Sequence, residues 1–345
     1  MPSKFPMKSQ LRILLLGCGH IGKRHAEIID ELAILAGVCD TDDGKAKAIG
    51  SQFSVPYYTD SRQMLDSVSA DAVAVCTPNG LHSNHSIDSL SRSFHVLCEK
   101  PMALSSDDCR KVIEAAEFNN RHFSVVKQNR YNPPVSYLKR ILDDGILGKV
   151  YSVQVNCFWN RDAGYYHNSW KGTRAMDGGV LFTQFSHFID ILYWMFGDIR
   201  KVCSAASNSG HRGITEFDDN GTACIEFLSG AIGGLHYSIN TSEVNMEGSL
   251  TVIAEKGTVK IGGKYLDRLE YHHIPGIPEP TLPEGNRANK YGSYEGSMSN
   301  HRAVYTDFIE SVSANRKSSN SFEALKAVEI IERIHKSALD QTIHI

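Results

Sequence analysis

The sequence predicts an α/β protein: a doubly wound parallel sheet over residues 1–127, then an α+β domain with an antiparallel sheet over residues 128–345. Three observations carry that prediction. Before Gln128, short apolar runs alternate with amphipathic stretches, the pattern of parallel strands buried on both faces. A glycine cluster, Gly17-Cys18-Gly19-His20-Ile21-Gly22, joins the first run to the first amphipathic stretch. Beyond Gln128 the hydrophobic period falls to two and the turns shorten, as in an antiparallel sheet.

The elements follow in order. Residues 12–16 form a short apolar strand, and 21–32 an amphipathic helix through Ile21, Ala26, Ile28, Ile29 and Leu32. Residues 34–39 form a second strand, ending at Asp40. Residues 72–76 form another, stopped by Thr77-Pro78-Asn79-Gly80, and 95–98 and 123–126 two more. Ser105 caps a helix that reaches Phe118. Past Gln128, Pro133-Pro134 opens a helix through Tyr137, Leu138, Ile141 and Leu142, with Gly145 beyond its end. Val153, Val155, Cys157 and Trp159 then alternate with Gln154, Asn156, Phe158 and Asn160, a strand with two unlike faces. Residues 223–227, 232–239, 250–254 and 258–261 are further strands, and one long helix over 180–196 interrupts them. Helices over 301–312 and 322–338 close the chain, the last with Phe322, Leu325, Val328, Ile331 and Ile334 on one stripe. The Pro-, Gly-, Ser- and Asn-rich stretch 275–300 reads as a long surface loop, a lid or inter-subunit arm.

The chain has 345 residues, 41% hydrophobic and 22% charged, enough to bury a core. A net charge of −3 gives no electrostatic case for nucleic acid or an anionic membrane surface, though an anionic substrate needs only one basic patch. The eight cysteines (Cys18, Cys39, Cys76, Cys98, Cys109, Cys157, Cys203 and Cys224) form no C-x-x-C pair, and several sit in strand-like runs. They read as buried, reduced thiols of a cytoplasmic protein. No apolar stretch follows the N-terminal lysines as in a signal peptide, and none reaches the roughly 18 residues of a membrane span.

The glycine cluster carries the first chemistry. Gly17 allows a tight turn after the strand, Gly19 lets the backbone approach a pyrophosphate, and Gly22 permits close helix packing. The helix start, with His20 and Ile21, offers N–H groups to phosphates. Asp40 stands 23 residues after Gly17, where a carboxylate would bond ribose hydroxyls and repel a 2′-phosphate, favouring NAD over NADP. The plain alternative is a glycine-rich turn with Asp40 capping the next helix. Thr77, Pro78 and Asn79, with His82 after them, end a strand where the crevice of a parallel sheet lies, and we place them at the cofactor. For His82 alone, an ordinary strand-ending turn fits as well.

Glu99-Lys100-Pro101 ends another parallel strand. A positive nicotinamide nearby would lower the lysine pKa toward working pH, so that Lys100 could handle the proton that accompanies hydride transfer. A solvated lysine is the plain alternative. Glu99 is read as orienting Lys100 or its loop, and Glu99, Lys100 and Gln128 are placed beside the cofactor.

In the 180–196 helix, Thr183, Gln184 and Asp190 lie four before, three before and three after His187, near one face. A polar stripe in so apolar a helix is either a satisfied core network or a site. The cluster Phe158-Trp159-Asn160-Arg161, Tyr165-Tyr166 and Trp170-Lys171-Gly172 joins rings to cations, as suits a sugar or a uracil diphosphate, and suits interface packing equally. His272 and His273 fall in a loop without acids or cysteines at ligand spacing, so no metal site is expected.

Together, the Gly17-Cys18-Gly19 loop, Glu99-Lys100-Pro101 and Gly178-Gly179 with His187-x-x-Asp190 resemble the Gfo/Idh/MocA oxidoreductases. The resemblance spans nearly the whole chain. It implies an N-terminal Rossmann domain and a C-terminal domain whose large open sheet packs against another subunit, giving a homodimer or homotetramer. The family lysine maps onto Lys100 and the family histidine onto His187. Many members place Asp four residues before that histidine, where this chain has Thr183, so Lys100 and His187 are read as a dyad.

A narrower resemblance is to the UDP-N-acetylglucosaminuronate 3-dehydrogenases. It rests on Val125-Val126-Lys127-Gln128-Asn129-Arg130, Phe158-Trp159, Tyr165-Tyr166, Thr183-Gln184-Phe185-Ser186-His187 and Asn245-Met246-Glu247-Gly248-Ser249. It implies oxidation of a sugar C3 hydroxyl for bacterial surface polysaccharide, in some members with 2-oxoglutarate regenerating tightly held NAD. On this reading His187 is the general base and Lys100 holds the same oxygen across an interdomain cleft. Asn129, Arg130, Trp170 and Lys171, with Thr183 and Gln184, contact the UDP-sugar. Another sugar or inositol-like polyol dehydrogenase and a non-catalytic NAD-responsive regulator are the alternatives.

Overall fold

A computed structural model describes residues 8–167, 169–290, 295–316 and 320–340. Chain contacts divide it into two units. The first holds Met1–Val126 and His301–Ala324, the second Lys127–Asn300 and Leu325–Ile345.

The first unit is built on β1 (Arg12–Leu16), α1 (His20–Leu32), β2 (Ile34–Cys39), α2 (Asp43–Phe53), β3 (Tyr57–Tyr58), α3 (Ser61–Ser67), β4 (Ala72–Val75), α4 (His82–Ser91), β5 (His95–Cys98), α5 (Ser106–Phe118) and β6 (Phe123–Val125). All its strand pairs are parallel, in the order β3-β2-β1-β4-β5-β6. The strand order reverses between β1 and β4, and a ligand crevice opens at the carboxyl ends of strands at such a reversal. Ile13, Leu15, Ala72, Ala74, Leu97 and Val126 are buried, as a sheet covered on both faces requires. Ser105 caps α5 by accepting from the Asp108 N–H, as expected from the sequence.

The second unit contains α6 (Pro133–Asp143), β7 (Val150–Phe158), α7 (Ala163–Tyr166), α8 (Val180–Thr183), α9 (Ser186–Phe196), β8 (Ile199–Ser207), β9 (Asn220–Phe227), β10 (Ile232–Ser238), β11 (Glu247–Ala254), β12 (Gly257–Gly262), β13 (Arg268–His273), β14 (Ala288–Lys290) and β15 (Glu295–Met298). Seven strands form one sheet, in the order β13-β12-β11-β7-β10-β9-β8. Val153, Val155, Leu235, Tyr237, Leu250 and Val252 fill its buried face. Phe185 and Phe188 close on Trp159, with ring centroids 5.2 and 5.9 Å away. The opposite face leaves Tyr151, Ile232, Ile253 and Tyr271 exposed.

Five expectations are corrected. The sheet is mixed, because β7 and β10 pair in parallel while the other pairs are antiparallel. The expected 180–196 helix is broken into α8 and α9. Phe185 N–H bonds back five residues to the Val180 carbonyl, and Phe185, at φ −107° and ψ 3°, starts the next helix. The expected 275–300 loop contains the β14–β15 hairpin, although its residues 291–294 lie outside those described. His272 and His273 belong to β13 rather than a loop, and His272 Nε2 meets the Tyr137 hydroxyl at 2.8 Å. Finally, α10 (His301–Ser313) and the start of α11 (Asn320–Asp340) join the first unit rather than the second. Val304, Tyr305 and Phe308 of α10 pack into the same core as Ala26 and Ile29 of α1. A pattern read along the chain could not reveal that return.

Candidate functional site

At the crevice of the first unit, Gly17 sits at φ +96°, where a Cβ would lie 2.5 Å from the Cys76 carbonyl oxygen. A Cβ on Gly22 would lie 1.9 Å from the Gly17 oxygen, so both glycines are required for α1 to approach the loop. At Gly19, by contrast, a Cβ would meet nothing within 4 Å. The backbone there faces open space at the start of a 13-residue helix with no acid in its first turn, which includes His20 and Ile21. These residues fit a dinucleotide pyrophosphate. Asp40 Oδ2 accepts from the Cys18 N–H at 2.7 Å and Oδ1 from the Asp42 N–H at 2.9 Å, so its carboxylate is fixed at the loop.

Thr77, Pro78 and Asn79 follow β4 at the same end of the sheet, with Thr77 Oγ1 3.0 Å from His85 Nδ1. His82 is fully buried. Its Nδ1 lies 2.6 Å from the Pro101 carbonyl oxygen and its Nε2 2.8 Å from that of Thr77. It links two turns, and both its ring nitrogens are engaged by backbone. Burial lowers its pKa, against the pull of those two carbonyls.

Glu99 Oε2 accepts from the Lys100 backbone N–H at 3.0 Å. Its other oxygen, Oε1, faces His25 Nε2 at 3.0 Å and His301 Nε2 at 3.3 Å. The His301 approach is close but lacks the direction of a hydrogen bond. Burial opposes ionisation of Glu99, yet the two imidazoles hold its pKa well below the usual carboxylate range. Among the described residues, His25, Glu99 and His301 are the single group with metal-ligand spacing.

In the second unit, Gln128 Nε2 meets His187 Nε2 at 3.2 Å and orients the ring. Arg130 holds Asp190 from Nε at 2.8 Å and Nη2 at 2.7 Å, and Lys127 Nζ reaches the same carboxylate at 2.8 Å. Burial raises the Asp190 pKa, but Arg130 and then Lys127 outweigh it and hold the group ionised far into acid. Thr183 Oγ1 donates to the Asp177 carboxylate and lies 3.1 Å from the Asp177 carbonyl oxygen. Gln184 Nε2 donates to the Tyr165 hydroxyl at 3.2 Å. Thr183, Gln184, His187 and Asp190 therefore do not form the single stripe expected, because the helix break sends each to a different partner.

The aromatic cluster divides too. Trp159 is core, and buried Arg161 lies over its ring and over Tyr165, at 5.4 and 5.2 Å. Lys171 Nζ stands 4.1 Å above Tyr165 and 5.8 Å from the Trp170 ring centroid, and both Lys171 and Trp170 are half-buried.

Several buried polar atoms in the 128–129 and 184–186 segments, which flank the Gln128–His187 contact in the chain, make no hydrogen bond among the described residues. They are Gln128 Oε1, Asn129 Oδ1 and Nδ2, Gln184 Oε1 and Ser186 Oγ. Unsatisfied buried polar atoms are uncommon in folded proteins. Unpartnered amide and hydroxyl groups on the two segments that carry Gln128 and His187 suit a ligand with many hydroxyls.

Sequence reasoning missed His25, His301, Tyr305, Lys127 and Asp177. For His25 a signal existed: it stands four residues from both Ile21 and Ile29, on the apolar stripe of α1. Six cysteines are buried as expected, but Cys203 and Cys224 are exposed. No helix among the described residues is long and apolar enough to cross a membrane.

Comparison with known proteins agrees with this chemistry. Residues 11–127 match the family model described as an oxidoreductase family with an NAD-binding Rossmann fold, and residues 135–260 match the GFO/IDH/MocA C-terminal domain. The fold is similar to the WlbA dehydrogenase of Chromobacterium violaceum, solved with NADH and UDP-GlcNAcA. The TM-score is 0.86 and the identity 30%, covering 97% of this chain and 95% of that one. The Bordetella pertussis WlbA dehydrogenase, solved with the same pair, also gives TM-score 0.86 and 30% identity, covering 96% and 97%. Inositol 2-dehydrogenase 2 of Saccharopolyspora erythraea is 25% identical, covering 78% of each chain.

Proposed function

The chain belongs to the Gfo/Idh/MocA oxidoreductase family, and from that premise we propose that it oxidises the C3 hydroxyl of a UDP-linked N-acetylglucosaminuronic acid for surface-polysaccharide synthesis. The broader activity is NAD-dependent oxidation of a sugar or polyol CH–OH group. The observation that carries the finer reading is the likeness, over 97% of the chain at 30% identity, to a dehydrogenase solved with NADH and UDP-GlcNAcA. The unsatisfied polar atoms of the segments that carry Gln128 and His187 support a polyhydroxylated ligand.

Bound NAD supplies the hydride acceptor. In this reading His187, oriented by Gln128, takes the hydroxyl proton, and Lys100 holds the developing oxygen charge. Asn129 and Gln184 bond sugar hydroxyls, while Trp170 and Lys171 hold uracil or diphosphate. Arg130 serves the site through Asp190, because that carboxylate takes two of its donors. We assign the open face of the sheet to subunit pairing and 2-oxoglutarate to NADH reoxidation.

NADH fluorescence with a panel of UDP-sugars, with and without 2-oxoglutarate, tests the reading. UDP-GlcNAcA should be oxidised to a keto sugar with an equivalent of NADH formed, and UDP alone should compete. Activity on inositol, with no inhibition by UDP, would instead establish the polyol reading that the Saccharopolyspora relative favours. No turnover on either class would favour the non-catalytic regulator.

A further inference from the structure

The Lys100 turn is held from its neighbour. Glu99 is buried, and one of its carboxylate oxygens accepts from the Lys100 backbone N–H at 3.0 Å. The other oxygen faces His25 Nε2 at 3.0 Å. On the far side of that ring, Nδ1 meets the Tyr305 hydroxyl at 2.8 Å. One arrangement satisfies all three groups: Nε2–H donates to the carboxylate, and the Tyr305 hydroxyl donates to Nδ1. His25 lies one turn into α1, the helix whose start frames the glycine loop, and it is fully buried.

We propose that His25 is a positioning residue for the dehydrogenation, acting through the Glu99 carboxylate on the backbone of Lys100. The proposal rests on the functional reading above, since it gives Lys100 a role in turnover. It deepens that reading by naming what fixes the lysine. A carboxylate with one fixed hydrogen-bond partner can rotate about its terminal torsion, whereas one held at both oxygens cannot. Removing the His25 donor leaves His301, whose approach lacks hydrogen-bond direction, as the remaining partner of Oε1. Glu99 then swings, and the Lys100 N–H loses its anchor. Displacing a catalytic group by about 1 Å can cost on the order of 10²-fold in rate.

The two ring nitrogens allow a clean experiment. His25→Gln places an amide donor where Nε2 stands and keeps the Glu99 contact. His25→Asn places its amide near Nδ1 and keeps the Tyr305 contact. The expected result is that His25→Asn lowers kcat on the order of 10²-fold while the KM for NAD holds. His25→Gln should recover most of that loss. Tyr305→Phe, which touches only the far side of the ring, measures the structural cost and should melt lower with kcat retained.

Equal turnover in the Asn and Gln variants would overturn the proposal, as would a loss confined to the KM for NAD. A stoichiometric metal in the purified protein, lost on His25→Gln, would also overturn it, by making the cluster a ligand set. Lys100→Ala separates the two levels. If that variant keeps full turnover, the underlying functional reading fails. If it is impaired while the His25 variants match each other, the positioning role alone fails.

Discussion

Arg130 and Asp190 form a two-pronged ion pair, Nε to Oδ2 at 2.8 Å and Nη2 to Oδ1 at 2.7 Å, in a buried setting that Lys127 shares. Two cations meet one carboxylate, so the carboxylate is the member whose loss is worst. Asp190→Asn leaves both cations uncompensated and should destabilise the protein by about 3–5 kcal/mol, read from the urea midpoint. Trp194, whose ring Arg130 overlies at 4.7 Å, offers a fluorescence signal for the same cluster.

The same pair sets an acid limit. Its folded pKa is depressed, so Asp190 contributes stability that is fully present above its unfolded value of about 3.9. That contribution is lost as pH falls from there toward the folded value. Glu99 behaves alike, with an unfolded value of about 4.3. Stability measured from pH 7 downward should begin to fall below about pH 6.5, where the unfolded histidines protonate while buried His82 and His301 stay neutral in the fold, and should fall more steeply below about pH 5 as these carboxylates take up protons. In Asp190→Asn the fall should be shallower, since the variant cannot take up that proton.

Asp40 is held at the end of β2 by the Cys18 and Asp42 N–H groups, and we propose that its carboxylate meets the ribose of bound NAD. Asp40→Ser removes the repulsion of a 2′-phosphate, which for like charges in contact costs several kcal/mol. The ratio of kcat/KM for NAD over NADP should fall on the order of 10²-fold. An unchanged ratio would show that Asp40 serves only the loop.

Lys100→Ala and His187→Asn should each lower kcat about 10²–10⁴-fold with NAD affinity retained, as measured by titration of NADH fluorescence. If the two residues act on one hydroxyl, the double variant should fall well short of the product of the single losses. Full multiplicative loss would assign them to separate steps.

Much of this was legible in the sequence, because local chemistry governs it. Gly17 and Gly22 announce a tight loop, and Asp40 ends the strand that runs beside it. Alternation from Val153 to Trp159 announces a two-faced strand. What stayed hidden depends on distant partners. The His25–Glu99 contact joins residues 74 positions apart, and Tyr305 lies 280 positions from His25. The break between α8 and α9 was invisible because Phe182, Phe185 and Phe188 keep helical spacing across it, and only the bond from Phe185 to Val180 reveals the change. β8 and β13 escaped notice because their outer faces carry Lys201, Cys203 and Glu270 rather than an apolar run.

Thr183 poses the sharpest choice between structure and substrate. Its hydroxyl donates to Asp177, a fully buried carboxylate that also accepts from the Gly172 N–H at 2.8 Å. Asp177 thereby ties the Trp170-Lys171-Gly172 segment to the start of the His187 region. Thr183→Ala strips one donor from that carboxylate and should cost about 1–3 kcal/mol of stability. Thr183→Ser, which keeps the hydroxyl, should restore most of it. If Thr183 acts through Asp177, the alanine variant should melt lower while the sugar KM rises little, because the hydroxyl is already spent on the protein. A raised sugar KM with an unchanged melting temperature would place that hydroxyl on the substrate. The serine variant guards the test against misfolding: both readings require it to behave like the parent, so a defect there would point to the lost methyl group and its packing.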